Sequence, residues 1–352
     1  MKTLTGAIIL LLLCGCATLG PGAIQGSRTD YNVALRQTED EQLLLNLVRL
    51  RYRDRVLFLE ASALNTQFTF QSSAQAGAAF GDDIAASYSL GGRVAVEEKP
   101  TVTYTPLQGA DFVVKVLSPI KLETLFLLDS SGWSADRAFR ALVQQANGVK
   151  NAPRASGPTP NAAPEYEEFL RLTALLRTLE LKDLVVGARH GDNLVLRFSP
   201  QAKALPEYRE FMQIAGLDPE LGVYRVTSDL TDADPGVLNL RFRSFVGVMY
   251  FLSQGVEVPQ KDLASGRVTI TRDAEGRPFD WSRVTRGLMR IRSGDRRPAS
   301  AAVAVFYRSS WFYIDDADLD SKATFSMLGQ IFALQAGDVE TLTPVLTLPV
   351  GG

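Results

Sequence analysis

At 352 residues, 46% of them hydrophobic and with a formal net charge of -2, the chain can bury a large core, and nothing in that balance suggests nucleic acid as a partner. It has two cysteines, Cys14 and Cys16, and one histidine, which closes most metal sites and most hydrolase mechanisms and leaves only a carboxylate or Ser/Lys chemistry open.

The amino terminus carries one cation, Lys2, followed by an apolar stretch from Ala7 to Leu13. That stretch falls far short of the roughly 20 residues a membrane-spanning helix needs, which is the pattern of a secretory signal peptide. Leu13-Cys14-Gly15-Cys16 resembles the bacterial lipobox, where an aliphatic residue, a tolerant position and a small residue precede the modified cysteine. Leu13 is too large to stand directly before a modified Cys14. The resemblance implies cleavage after Gly15, with residues 1-15 as signal peptide and Cys16 acylated on sulfur and on its new amino group. At about 0.8 kcal/mol per buried methylene, three acyl chains hold a protein at a bilayer essentially permanently. Ala17 stands where similar lipoproteins retained at the inner membrane carry aspartate, which implies the outer membrane, with the chain facing the periplasm. A metal or redox pair at Cys14 and Cys16 lacks any nearby histidine to complete it.

Residues 16-28, containing the Gly/Pro-rich "LGPGAIQGS", suit a flexible tether. "TEDEQLLLNLVRLRYRDR" then predicts a helix with Thr38 as N-cap and Glu41 in capping-box spacing. Arg49, Arg51, Arg53 and Arg55 gather near its negative end, and Leu43, Leu44, Leu47 and Leu50 form a stripe for burial.

The next stretch alternates with period two. Phe68, Phe70, Ser72, Ala74, Ala76, Ala78 and Phe80 fall on one side, then Ile84, Ala86, Tyr88, Leu90, Val94 and Val96 after a Gly81-Asp82-Asp83 turn. This predicts a long hairpin over 67-97, without lysine or arginine between Arg55 and Arg93. Its apolar row suits packing on the Leu43/Leu47/Leu50 stripe. The alternative is lipid, since about 9 to 11 tilted residues cross a membrane in a barrel; several subunits would then each contribute a hairpin. Amphipathic hairpins are common in soluble domains, which favours the packed reading. Phe68, Phe70, Phe80, Tyr88 and Leu90 are the large side chains of this membrane or packing candidate.

"TVTYT" reads as a further strand, followed by a helix from Gly109 and the apolar "KLETLFLLDSSGW". "KNAPRASGPTPNAAPE" contains four prolines and no apolar periodicity, so 150-164 is expected to be an exposed linker or loop between an N-terminal region, 29-149, and a C-terminal region, 165-352. Past it, Tyr166, Phe169, Leu172, Leu176 and Leu179 mark an amphipathic helix, and "LVVGARHGDNLVLRF" a strand, turn and strand. "VYRVTSD" and "VLNLRFR" form another expected strand pair. Ser244 is suited to cap a helix over "FVGVMYFLSQ", "AAVAVFYRSSWFYI" to form a hairpin, and Phe325, Leu328, Ile331 and Phe332 to stripe a last helix closed by Gly337. Helices and antiparallel hairpins interleave without βαβ regularity, so the class is α+β.

Three motifs bear on chemistry. His190 sits in a polar turn with no sign of triad partners, as an exposed residue would. Asp316, Asp318 and Asp320 open like a calcium loop, but Ser321 and Met327 occupy the positions of its glycine and closing glutamate, leaving N-capping as the better account. Arg283, Arg286, Arg290, Arg292, Arg296 and Arg297 form a basic run suited either to an anionic partner or to an ordinary solvated face.

"DYNVALRQTEDEQLLLNLVRLRYRD", "VTYTPLQGADF", "RSFVGVMYFLS" and "WFYIDDADLDSKATFSMLGQIFALQ" resemble a family of uncharacterised bacterial outer-membrane lipoproteins. The resemblance implies envelope location and carries no activity, ligand or catalytic residue. The expectation is a lipid-anchored periplasmic protein of the outer membrane with a structural or envelope-binding role, held to the membrane through the lipid on Cys16. It is expected to use no cofactor or metal and to meet an envelope protein or copies of itself. The alternatives are a subunit of an oligomeric outer-membrane pore or secretion complex contributing the 67-97 hairpin and, weakest, a hydrolase.

Overall fold

The computed structural model describes the backbone of residues 19-81 and 84-335, and the side chains of 29-60 and 101-335. Cys16, the Asp82-Asp83 turn and Gly337 lie outside the described residues. Helices and mainly antiparallel sheets make an α+β fold, as the interleaved periodicities predict. The chain divides into two compact units, residues 57-107 and the remainder. No described helix is long and apolar enough to cross a membrane.

Helix α1 runs from Leu19 to Arg51, so the segment expected to be a tether is helical from residue 19 on. Pro21 is tolerated because the first turn's backbone donors have no intrahelical partner to lose. Thr38 consequently lies inside α1 and does not cap it; its hydroxyl donates to the Leu35 carbonyl at 2.8 Å. The leucine stripe is covered within its own unit, where α1 packs against β10 (Ala301–Tyr307) and against the helix Phe245–Ser253. Leu44, Leu47 and Val48 are fully buried there.

The separate unit is the hairpin β1 (Leu59–Gly81) and β2 (Ile84–Pro106), 23 residues each. Its ladder is antiparallel from Leu59↔Pro106 to Gly81↔Ile84, with irregularities only between Ala61 and Ala63 and between Ala79 and Gly81. The expected 67-97 hairpin thus forms the outer part of a longer one.

In the larger unit, α2 (Gly109–Phe112) continues into a π-turn, Val113–Leu117, and is followed by α3 (Leu122–Ser130) and α4 (Ala135–Leu142). Ser134 caps α4, accepting from the Arg137 amide at 3.4 Å. Strands β3 (Val143–Ala146) and β4 (Val149–Lys150) lead to α5 (Glu167–Glu180), then β5 (Val185–His190), β6 (Asn193–Phe198), α6 (Pro206–Ala215), β7 (Val223–Thr227) and β8 (Val237–Phe242). These strands form one sheet in the order β4-β3-β8-β7-β6-β5. Helix α5 packs against both of its edge strands, burying Phe169, Leu172, Leu175, Leu176 and Leu179; each such side chain contributes about 1.5–3 kcal/mol. β7 and β8 are neighbours, as expected, but run parallel, because the "LTDADPG" connection crosses over instead of making a tight turn.

The remaining elements are α7 (Phe245–Ser253), α8 (Gln260–Ala264), α9 (Ser282–Thr285), β9 (Arg292–Gly294), β10, β11 (Ser310–Asp315) and α10 (Leu319–Gln335). Ser244 caps α7 as predicted, accepting from the Gly247 amide at 3.2 Å. β10 and β11 form the expected hairpin, with β9 added beside β11.

The six-stranded sheet joins strands from both sides of 150-164, so that segment is no division between regions. Asn151, Ala152 and Ala155 are fully buried within it. The body of the protein reaches several of its polar atoms: Arg51 and Gln254 donate to the Thr159 hydroxyl at 3.3 and 3.2 Å, and Thr271 donates to the Pro160 carbonyl at 2.7 Å. Prolines here remove backbone donors that a packed, strandless segment would otherwise have to satisfy.

Candidate functional site

The hairpin unit is the leading candidate. Its register sets Phe70 opposite Val96, Ser72 opposite Val94, Ala76 opposite Leu90 and Ala78 opposite Tyr88. Directly opposed positions of an antiparallel pair share a face, so the two period-two rows read separately in β1 and β2 fall on the same side of the ribbon. Phe68 opposes Glu98, and Phe80 lies in the irregular stretch before the turn. At about 3.3 Å per residue each strand spans roughly 75 Å. Between Ala61 and Gly92 the only charged residues are Asp82 and Asp83. Arg93, Glu97, Glu98 and Lys99 begin further down β2, opposite Ser73, Thr69, Phe68 and Gln67.

The basic run comes together only in part, Arg286 and Arg290 lining one pocket with Arg51. Arg283 pairs with Glu167 at 2.8 Å and lies over the Tyr166 and Phe279 rings, Arg290 pairs with Glu257 at 2.6 Å, and Arg292 pairs with Asp315 at 3.0 Å. Glu257 helps hold the Arg290 guanidinium above its ordinary pKa, first through its hydrogen bond. Arg297 lies 5.3 Å from the centre of the Trp311 ring, while Arg286 and Arg296 are exposed. Each paired arginine already has its own local anion, so the run reads as a solvated face more than as a shared anion cradle.

His190 ends β5 opposite Asn193 and is exposed. His190→Ala is expected to change stability by less than about 0.5 kcal/mol, as surface substitutions do; a urea titration of both proteins checks it. The three aspartates are separately engaged. Asp318 caps α10, accepting from the Ser321 amide at 3.1 Å and its hydroxyl at 2.7 Å. Asp320 pairs with Arg137 at 2.7 Å and Asp316 with Lys322 at 2.6 Å. Among the described residues no group of three or more His, Cys, Asp or Glu side chains is placed to hold a metal.

Two buried polar constructions went unseen in the sequence. Arg243 is 1% exposed. Its Nη1 donates to the carbonyls of Arg140, Ala141 and Val143 at 3.3, 3.1 and 2.6 Å, Nε to the Ser156 hydroxyl at 3.0 Å, and Nη2 to the Asn151 carbonyl. The first three carbonyls end α4, where a helix leaves its acceptors unpaired and its dipole negative. The guanidinium also lies 4.1 Å from the centre of the Phe251 ring, and burial pushes its pKa down to about 9. Nothing in "LNLRFRSFVG" separates Arg243 from the exposed Arg241.

The second construction clamps the end of α1. The fully buried Asp262 carboxylate accepts from the Tyr52 hydroxyl at 2.7 Å and from Arg267 at 2.6 Å. Burial alone would raise the pKa of this carboxyl, but the two hydrogen bonds bring it below its ordinary value. Burial and Asp262 together push the Tyr52 phenol well up. Tyr52 stacks edge-on against Tyr307 and Phe312, and Arg308 lies over the Tyr52 ring while pairing with Asp54 at 2.8 Å. The last residues before the hairpin unit are therefore fixed in place.

A half-open apolar cavity of about 130 Å³ lies beside β5, lined by Leu125, Phe126, Phe139, Leu176, Val185 and Leu196, with the carboxyls of Asp129 and Glu180 at its wall. Burial, and then the charge of Glu180, raise the Asp129 carboxyl above its ordinary value. Glu180 is committed to Arg177 and to the Ala135 amide. The lining has no hydroxyl, amine, thiol or imidazole, so it can hold an apolar group, and its only polar side chains are those two carboxyls.

In comparisons with family models, curated proteins and solved structures, no match to the chain was found.

Proposed function

We propose that this chain is a lipid-anchored protein of the outer membrane, facing the periplasm, that works through contacts with other envelope proteins and not through catalysis. The observation that carries the reading is the 57–107 hairpin, a two-stranded ribbon that forms a unit of its own. An isolated two-stranded hairpin is at best marginally stable in water. A ribbon of this length serves by meeting something else. The signal-like amino terminus and the lipobox order ending at Cys16 supply the address.

The anchor is tested by two substitutions. Cys16→Ala is expected to abolish lipid labelling and release the chain from membranes, whereas Cys14→Ser is expected to leave both unchanged. Intact-mass measurement of wild-type protein that found no acyl chains and a retained signal peptide would overturn it. The contact role is tested by replacing 61–105 with a short turn, which is expected to leave the larger unit folded and to remove its co-purifying partners.

A second reading, a subunit of an oligomeric pore, is favoured by one feature: the outer section of the hairpin carries no charge between the turn and Arg93. That section is close to the 9 to 11 residues of a membrane-crossing strand, and the turn aspartates would then lie in water beyond it. Near a bilayer midplane Ala76→Arg is expected to cost about 2–4 kcal/mol and to block membrane assembly while the larger unit stays folded. Size-exclusion chromatography with and without detergent decides it: an unchanged monomer in both conditions opposes the pore.

A further inference from the structure

Independently of the contact role, we infer that the half-open cavity beside β5 is a binding site for a small amphiphilic amine, a free molecule that places an apolar group of about six carbons inside and its ammonium against the Asp129 carboxylate.

The cavity is graded from apolar to acidic. Its buried wall is Leu125 on α3, Ala138 on α4, Leu176 on α5, and Leu196, Val226 and Leu238 on the sheet. Asp129 and Glu180 belong to the half-exposed part of the lining, with Val185 and Gly187 of β5. Two helices build this grading in the same way. Phe126 and Asp129 stand three apart on α3, Leu176 and Glu180 four apart on α5, and such spacings share a helix face. Each helix thus brings an apolar side chain and, one turn on, a carboxyl. Ala135 and Ala138 on α4 leave room that larger residues would fill. Gly187 does the same on the edge strand, where a Cβ would lie 3.0 Å from Phe126 Cε1 and 3.2 Å from Asp129 Oδ2.

At about 130 Å³ the space is close to an engineered cavity of about 150 Å³ that takes up benzene, which sets the apolar part of the ligand at phenyl or hexyl size. Charge sets its head. Glu180 is already paired with Arg177 at 2.7 Å. Asp129 has no such partner: among the described residues its carboxyl makes neither a hydrogen bond nor an ion pair. Partial burial beside a second carboxyl disfavours its ionised form, and an ammonium seated against it relieves both costs. An alcohol would bring no charge, and a fatty acid would bring a third carboxyl to a wall that holds two. Of the three, only the amine suits both ends of the cavity.

Methyl-resolved NMR of the full chain, with n-hexylamine, n-hexanol and n-hexanoate titrated at neutral pH, tests the assignment. The amine is expected to shift the Leu176, Leu196 and Val226 methyls and to bind about tenfold more tightly than the alcohol, the order expected of one half-buried ion pair. Hexanoate is expected to leave them unmoved. Asp129→Asn, at a side chain that holds no neighbour in place, is expected to bring n-hexylamine down to the affinity of n-hexanol with the fold unchanged. Ala135→Leu, at a half-exposed position of the wall, is expected to weaken amine and alcohol alike. Equal binding of amine and alcohol to wild type, a preference that survives Asp129→Asn, or unmoved methyls with every probe would each overturn the inference. Tighter binding of Nα-acetyl-lysine methylamide than of n-hexylamine would also overturn it, by giving the site to a protein side chain.

Discussion

Arg243→Met is expected to destabilise the protein by about 3–5 kcal/mol, enough to bring an ordinary domain close to its unfolding threshold. The side chains are similar in bulk, so the loss is not one of volume. It arises because the carbonyls of Arg140, Ala141, Val143 and Asn151 all accept from this guanidinium, three of them at the end of α4. Asn151 Nδ2 still donates to the Arg140 and Val143 carbonyls at 2.9 and 2.6 Å, so the carbonyls of Ala141 and Asn151 bear the loss, at about 1–3 kcal/mol for each buried acceptor left without a donor. No water reaches a site whose side chain is 1% exposed, so the structure must open to find substitutes. Arg243→Lys is expected to recover less than half of the loss. An ammonium keeps the charge but cannot span the Ser156 hydroxyl, the α4 carbonyls and Asn151 at once, as the planar fork does. Urea denaturation of the three proteins checks the order, and equal stability of Arg243→Met and wild type would contradict it.

Replacing Asp262 is expected to have the second largest effect and to change the acid limb of stability. Asp262→Ala removes the acceptor of the buried Tyr52 hydroxyl and of Arg267, and the expected cost is about 2–4 kcal/mol. Arg267 is about half exposed and recovers hydration, so Tyr52 bears most of the loss. The folded-state carboxyl lies below its ordinary 3.8. A depressed acid contributes stability that is fully present above its unfolded pKa and is lost as pH falls through the folded one. Wild type should therefore weaken progressively below about pH 4, and Asp262→Asn, which cannot ionise, should weaken less steeply there. Asp54, lowered by Tyr307 and Arg308 against its own burial, adds to the same limb and sets the slope that remains. Denaturant midpoints from pH 3 to 6 for both proteins measure the difference.

What was legible in the sequence is what period and local capping decide. The α5 stripe, the Ser244 cap, the β5–β6 and β10–β11 hairpins and the Asp318 cap each depend on residues within a few positions of one another. What was missed depends on partners about a hundred residues apart. "KNAPRASGPTPNAAPE" has the composition of an exposed linker, yet Arg243 and Arg51 reach into it from 87 and 108 residues away. Thr38 likewise has every local mark of a cap, but α1 already extends far upstream of it. The hairpin was legible in alternation and in its missing cations. Its length and its separateness were not, because charged positions such as Glu97 and Glu98 read locally as the end of a strand that continues to Pro106.

The continuous α1 changes what an acyl group on Cys16 would do to the body it carries. Thirteen residues, 19–31, separate the helix start from Asn32, where α1 first borders the three-stranded sheet. As helix they span roughly 20 Å, about the mean reach of a flexible chain of the same length. The means agree and the spreads do not. A coil would let the body wander and tumble, whereas a rod holds one stand-off and one angular phase. Every residue inserted there would advance the body by about 1.5 Å and turn it by about 100°. Spacing between bilayer and body would then be encoded in helical turns, with insertions of two and of four residues giving opposite orientations at nearly equal heights.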